Sequence, residues 1–329
     1  MSEPASESSR SGELVATPER SGGGGASVRV AAIDCGTNAI RLLIADVDGD
    51  KLTDVSRRME IVRLGEGVDR TGMLAPAAIE RTRQALLGYA AEIAELGVTR
   101  VRMCATSASR DASNAQDFRD MVRGVLGVDP EVITGEQEAQ LSFDGAVRGL
   151  GADGPYLVFD LGGGSTEFVT GTTGVERAIS MDIGCVRMTE RHLHSDPPTA
   201  AELAAAEADI IEAVDTALAA VSGREARTLV GLAGTVTTVA ALAHDLEGYD
   251  SARIHHSRVE APAVARVTAE LLAMTVAERR ALPVMHPGRA DVIGAGALIM
   301  KLIIERSGHD FVIASEHDIL DGIAFGLAV

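Results

Sequence analysis

The chain has 329 residues, 46% apolar and 3% aromatic, with no Trp, 35 Gly and a formal net charge of −18. That length holds two ordinary domains with full cores, built mainly from Ala, Val, Leu and Ile. The acidic balance excludes a general nucleic-acid binder, which needs clustered Lys and Arg, and confines any anion site to backbone N–H groups, a few Arg and metal.

Residues 1–27, rich in Ser, Glu and Gly, lack apolar periodicity and are expected to form a disordered tail. Val28–Ile33 reads as a buried strand ending on Asp34. After a loop at Cys35–Asn38, Ile40–Ala45 is a second strand, and Asp48-Gly49 supplies a hairpin turn. Pro76 opens a helix with Ile79, Leu86, Ala90 and Ile93 on one face. Val98–Ala105 reads as a strand. Asn114–Leu126 is a helix closed by Gly127, and Glu136–Leu150 is helical too. At Tyr156 the first pattern restarts: strand Tyr156–Phe159, Asp160, a Gly-rich loop, strand Glu167–Thr170 and a turn at Gly171. Thr199 and Glu202 form a capping box that opens a long Ala-rich helix, which Gly223 ends. Leu229–Ala233 is a strand running into Gly234-Thr235 and a helix. Phe311–Ala314 is a late strand, and Asp318–Leu327 a terminal helix. The unit of strand, Asp-x-Gly loop and returning strand thus occurs twice. It implies an α/β chain of two domains related by an internal repeat, each with an antiparallel hairpin.

The two loops carry the chemistry. A tight turn after a buried strand aims consecutive N–H groups one way, and Gly lets a phosphate approach without a Cβ between. Gly36, Thr37 and Asn38 are the donors expected in the first loop, and Gly162, Gly163, Gly164, Ser165 and Thr166 in the second. Asp34 and Asp160, at the strand ends, are placed to hold Mg²⁺ beside phosphate oxygens. One Asp-Gly turn alone is ordinary turn chemistry. Three glycines followed by two hydroxyls and a carboxylate are not, so the pair reads as a phosphate clamp. Gly234 and Thr235, at a third strand-to-helix junction, fit either another phosphate or simple capping by Thr235. Arg110 is placed to grip phosphate bidentately. Glu138 reads either as a helix-dipole partner or as a general base toward water. Arg289 fits capping and helix packing better than phosphate contact. His192, His194, His255 and His256 lack metal-ligand spacing and read as surface or structural. Cys35, Cys104 and Cys185 lie far apart without a C-x-x-C pair, so they read as buried free thiols. No apolar run is long enough to cross a bilayer, and no leader pattern is seen. A cytoplasmic protein without nucleic-acid or membrane partners is therefore expected.

Together these motifs resemble the exopolyphosphatase / guanosine pentaphosphate phosphohydrolase family. The matching stretches are Ile33-Asp-Cys-Gly-Thr-Asn-Ala-Ile-Arg-Leu42, Ala105-Thr-Ser-Ala-Ser-Arg-Asp-Ala-Ser-Asn114, Thr134-Gly-Glu-Gln-Glu-Ala139, Val158-Phe-Asp-Leu-Gly-Gly-Gly-Ser-Thr-Glu167, Gly231-Leu-Ala-Gly-Thr235 and Arg289-Ala-Asp-Val-Ile-Gly-Ala-Gly296. The resemblance implies an actin-like (RNase H-like) duplicated ATPase fold, with two domains flanking a phosphate-binding cleft. The expected partition is 28–141 plus a C-terminal helix 316–329 as domain I, and 142–315 as domain II. The resemblance further implies Glu138 as catalytic base, Asp160 and Glu167 as carboxylates handling Mg²⁺ and water, and Arg41 and Arg110 as phosphate-binding arginines. It implies Mg²⁺ as cofactor, with Mn²⁺ or a monovalent cation such as K⁺ as further options, and a homodimer. The substrate implied is the end of inorganic polyphosphate, with short chains favoured because the additional helical domains of longer members do not follow. Guanosine pentaphosphate (pppGpp) is the alternative within the same chemistry. An actin-like kinase or a filament or chaperone ATPase is the alternative of another class.

Overall fold

The computed structural model describes residues 27–328. The expected tail therefore lies outside the described residues. Eleven strands among the described residues form two sheets. The first contains β1 (Val28–Cys35), β2 (Ala39–Asp48), β3 (Lys51–Ile61), β4 (Arg100–Ala105) and β5 (Glu131–Val132), in the order 3-2-1-4-5. β1, β2 and β3 are antiparallel, while β4 joins β1 and β5 joins β4 in parallel. The second contains β6 (Tyr156–Leu161), β7 (Thr166–Gly171), β8 (Val175–Met181), β9 (Thr228–Leu232), β10 (Arg258–Glu260) and β11 (Phe311–Ala314). Its order is β10-β11-β9-β6-β7-β8, with the same mixture of directions plus one antiparallel edge strand. Each sheet repeats the RNase H-like order, so the chain has the actin-like duplicated fold.

The strands that hydropathy reveals are the central ones. β6 and β7 are buried along their whole length, and β1 is buried at six of eight residues. β3 and β8 are edges and carry charges that blunt their free hydrogen-bonding sides, which erases the apolar pattern. Both escaped sequence reading for that reason. The capping box of Thr199 and Glu202 forms as expected, with Thr199 N–H donating to Glu202 Oε2 at 2.7 Å. Gly223 does not end that helix. The helix stops at Ala220, and Ser222 takes the left-handed turn at φ 54°. Gly223 is small for packing, because a Cβ there would lie 2.7 Å from Leu218 Cδ2.

One helix from each repeat crosses between the sheets. Gly135–Val147 packs Ala139, Phe143 and Ala146 on β6, β7 and β9. The C-terminal helix Ile319–Ala328 packs Ile319, Leu320, Ile323 and Ala324 on β1, β2 and β4. It returns to the first sheet as the resemblance implies. The two helices meet backbone to backbone. A Cβ on Gly145 would run into the Asp318 carbonyl, and one on Gly322 into the Leu141 carbonyl. Helix Gly135–Val147 runs unbroken through position 141, where the expected partition changes domain. No helix among the described residues is long and apolar enough to cross a membrane.

Candidate active site

The ends of β1 and β6 face each other across a narrow cleft of about 90 Å³. Asp34, Thr37, Asn38, Arg41, Glu138, Asp160, Gly162, Gly163, Gly234, Thr235 and Arg289 line it. The duplication places them there: β1–β2 and β6–β7 are equivalent hairpins, and each carries an aspartate as the next-to-last residue of its first strand.

The two turns close identically. Gly36 N–H donates to the Ala39 carbonyl at 3.0 Å, and Gly162 N–H donates to the Ser165 carbonyl at 3.0 Å. This corrects the expected donor set. Gly36 and Gly162 shape their turns, and their N–H groups are already bonded. Among the described residues, the N–H groups of Thr37, Asn38, Gly163 and Gly164 have no acceptor. A turn of this kind leaves its second and third N–H groups outward, which is the geometry of an anion nest. Gly164 is nonetheless wedged at the seam, where a Cβ would meet Ser107 Oγ at 2.6 Å and Thr37 Oγ1 at 2.7 Å. Thr166 is turned away from the cleft: its hydroxyl donates to the Ile183 carbonyl and its residue is fully buried. Ser165 is likewise buried. These last two positions therefore support the loop rather than line the cleft.

The carboxylates are buried and crowded. Burial, reinforced by Glu167 and Asp160, holds Glu138 well above the usual carboxylate range, against the pull of Arg110. Arg110 reaches Glu138 Oε2 at 3.3 Å and the Ile133 carbonyl at 2.9 Å through the same nitrogen. Arg110 thus braces Glu138 and is not among the cleft-lining residues. Thr134 caps the helix that carries Glu138, and Gln137 completes a capping box; Glu136 stays exposed. Asp160 is pushed up to about 7 by burial, then by Asp318 and Glu167, while Ser142 Oγ donates to its Oδ2 at 2.6 Å. Glu167 sits opposite Asp160 in the β6–β7 register, is raised by burial, and accepts from Ser180 at 2.7 Å. Asp34 is also raised by burial, although Arg41 bonds its Oδ2 at 2.7 Å. Its Oδ1 is buried without a hydrogen-bond partner.

Two residues at the site carry little sequence signal. Asp318, at the start of the C-terminal helix, pairs with Arg41 from more than 270 positions away. Burial works against the Arg41 charge, but Asp318, Asp34 and Asp160 keep its pKa well above the ordinary value. Arg289 lies flat against Gly234, where a Cβ would strike its guanidinium, and donates to the Gly234 carbonyl at 3.1 Å. Burial lowers its pKa, and among the described residues it pairs with no carboxylate. The half-buried guanidinium lines the cleft. Thr235 does not cap its helix. The helix Ala233–Ala243 starts at Ala233 with φ 70° and no side-chain cap.

A second, wider chamber of about 480 Å³ opens beyond Arg41 and Arg289. Arg57, Arg58, Tyr249, Pro283, Met285 and His286 contribute to its walls. The histidines have structural settings: His192 Nε2 lies 2.8 Å from Asp209, and His255 stacks on His256 with ring centres 3.7 Å apart. All three cysteines are buried and free.

Comparison with known proteins agrees with this geometry. Residues 43–328 match the Ppx/GppA phosphatase family. Exopolyphosphatase 2 of Mycobacterium tuberculosis is 53% identical over 317 residues, covering 92% of this chain and 99% of that protein. A solved exopolyphosphatase from Cytophaga hutchinsonii superimposes with a TM-score of 0.84 at 28% identity, covering 91% of this chain and 97% of the other. The Ppx/GppA member from Aquifex aeolicus superimposes with a TM-score of 0.78 at 33% identity, covering 91% and 97%. A family model that matches residues 43–328, with a relative 53% identical over 92% of the chain, shows that this protein belongs to the Ppx/GppA phosphatase family.

Proposed function

We propose that the protein is an exopolyphosphatase that releases the terminal phosphate of inorganic polyphosphate by attack of water. The observation that carries this reading is the position of Glu138. It is a buried carboxylate with a raised pKa in the same narrow cleft as the N–H groups of Thr37, Asn38 and Gly163. Those groups suit the oxygens of a terminal phosphoryl, and a glutamate beside them suits a water molecule. Arg41 and Arg289 add positive charge where the transferred group gains negative charge. Glu138 takes the proton from water as it attacks in line, and Arg110 fixes the carboxylate.

The residues present fit a divalent cation. Asp34 Oδ1 is a buried oxygen without a partner, and Asp160 stands across the cleft from it. Hard oxygen donors of this kind suit Mg²⁺ or Mn²⁺. No three His, Cys, Asp or Glu side chains among the described residues form a ready cage. That matches the habit of Mg²⁺, which takes one or two carboxylates and completes its shell with water and phosphate. Asp160 and Asp34 would hold it, with Glu167 supporting from behind. Bound there, the ion would neutralise phosphate oxygens. The expected partition into 28–141 plus 316–329 and 142–315 is part of the same reading, as is a homodimer.

The wide chamber favours a second substrate, pppGpp. Tyr249, Met285 and Pro283 offer apolar surface for a nucleoside, while Arg57 and Arg58 in the same wall are already paired, with Asp54 and Asp321 and with Glu60 and Glu92. Phosphate release should be measured with Mg²⁺ from short polyphosphate, long polyphosphate, pppGpp and ATP. Release from polyphosphate is expected, and Glu138→Gln should reduce it at least 100-fold while the protein stays folded. Activity on ATP alone would sink the proposal. Wild-type turnover in Glu138→Gln would remove Glu138 as the base.

A further inference from the structure

Helix Cys185–His192 follows β8 and abuts the second phosphate loop. Its first backbone N–H groups bond to that loop: Cys185 to the Gly162 carbonyl at 3.0 Å, and Val186 and Arg187 to the Gly163 carbonyl at 2.9 and 3.1 Å. A Cβ on Gly184 would strike the Gly163 backbone, so helix and loop are in direct contact. Arg187 extends this contact to the first half, at the seam beside the cleft. Its Nε donates to the Gly164 carbonyl at 2.8 Å, one terminal nitrogen reaches Asp69 at 2.7 Å and the other reaches Asp111 at 2.5 Å. Asp69 and Asp111 belong to the first half. Asp111 directly follows Arg110, which holds Glu138.

An ordinary surface ion pair is weak and interchangeable. This one differs in two respects. The Arg187 side chain is only 13% exposed, and all of its fork is used on separate acceptors, one of them the carbonyl of a phosphate loop. At that point the two loops touch: a Cβ on Gly163 would lie 3.0 Å from Thr37 Cβ and 3.2 Å from the Asn38 nitrogen. Any slackening of the tie therefore changes the distance between the Thr37–Asn38 and Gly163–Gly164 donors.

We propose that Arg187 is a positioning residue that ties the second phosphate loop to Asp69 and Asp111 and so sets the spacing of the two loops across the cleft. This rests on the reading of that cleft as the hydrolytic site. Arg187 touches no reacting atom in this role. Its effect is on alignment, where a displacement of about 1 Å is enough to cost roughly 100-fold in rate.

Two measurements test it. Phosphate release from polyphosphate is compared for the wild type, Arg187→Ala and Arg187→Lys. Arg187→Ala is expected to lose 10- to 100-fold in kcat with an unchanged melting temperature, and added guanidinium is expected to restore part of the rate. Arg187→Lys keeps the charge but not the fork and should recover little. Separately, spin labels at Met73→Cys and Ala205→Cys, both exposed positions in opposite halves, report the separation of the halves. Arg187→Ala should lengthen or broaden that distance. Activity within twofold of wild type together with an unchanged distance overturns the proposal, as does full activity in Arg187→Lys. If the wild type releases no phosphate, the hydrolytic reading fails, and the distance still decides whether Arg187 ties the loops. If Arg187→Ala does not fold, Asp111→Asn removes one end of the tie, and an unchanged distance in that variant overturns the proposal.

Discussion

Asp160→Asn is expected to stabilise the metal-free protein while abolishing its turnover. Asp160 titrates near 7 in the fold against 3.8 for an ordinary aspartate, chiefly because burial disfavours its charge. A folded-state pKa above the unfolded one means that the folded chain holds the proton more tightly. The contribution is fully present below pH 3.8 and is lost as pH rises through 7. The difference of about three units corresponds to about 4 kcal/mol of stability lost by pH 8.5, of which about 3 kcal/mol disappears between pH 5 and 8.5. Asparagine keeps the shape and still accepts from Ser142, but it carries no charge to bury. Thermal unfolding in EDTA, scanned across this range, should show the variant pulling ahead of the wild type with rising pH. At about 2 °C per kcal/mol for a chain of this size, the gap should widen by roughly 5 °C. Saturating Mg²⁺ should close the gap from the wild-type side, because a bound cation favours the ionised carboxylate, and should do little for the variant. Parallel unfolding curves for the two proteins from pH 5 to 8.5 would refute the argument.

Gly322→Ala should destabilise the protein by about 1–3 kcal/mol, because its Cβ has nowhere to go but the Leu141 carbonyl; urea unfolding measures this, and a loss under 1 kcal/mol would mean that the helices part easily. The ratio kcat/KM for phosphate release should rise with pH above the usual carboxylate range and then level, since Glu138 acts only after losing a proton that burial holds well above that range. A flat acid limb down to pH 5 would contradict that. Asp318→Asn should raise KM several-fold or more by loosening Arg41, with a smaller effect on kcat, as steady-state kinetics at fixed Mg²⁺ would show.

Much of the fold is legible in the sequence because the buried hairpins of the two repeats announce themselves. Val30–Ile33 and Tyr156–Phe159 are continuous apolar runs, each stopped by an aspartate and a glycine turn, and that punctuation has few structural meanings. The edge strands β3 and β8 are not legible, because an edge exposed to water is written in charges. At the candidate site, Asp34 and Asp160 stand out by position near strand ends, whereas Glu138, at a helix start, reads equally as a helix-dipole partner, and only the structure shows it buried in the cleft. Which N–H groups remain unpaired is not readable: Gly36 and Gly162 look like donors until the turn closures are seen. Asp318 and Arg187 belong to stretches without any motif of their own, and only the return of the C-terminal helix and the seam between halves bring them to the cleft. Arg289 reads as a helix-start residue, and its lack of a carboxylate partner appears only in three dimensions.

The matching turn closures have a kinetic consequence. Since Gly36 and Gly162 lock their loops during folding, the neighbouring donors stand aimed before anything arrives, and an incoming anion pays little to order them. That readiness does not distinguish what is being cut from what has been cut. Orthophosphate carries the same oxygens as the terminal group and meets the same cradle, so the product competes for the place it has just left. On the proposed reading, orthophosphate is expected to inhibit competitively, without any separate regulatory site.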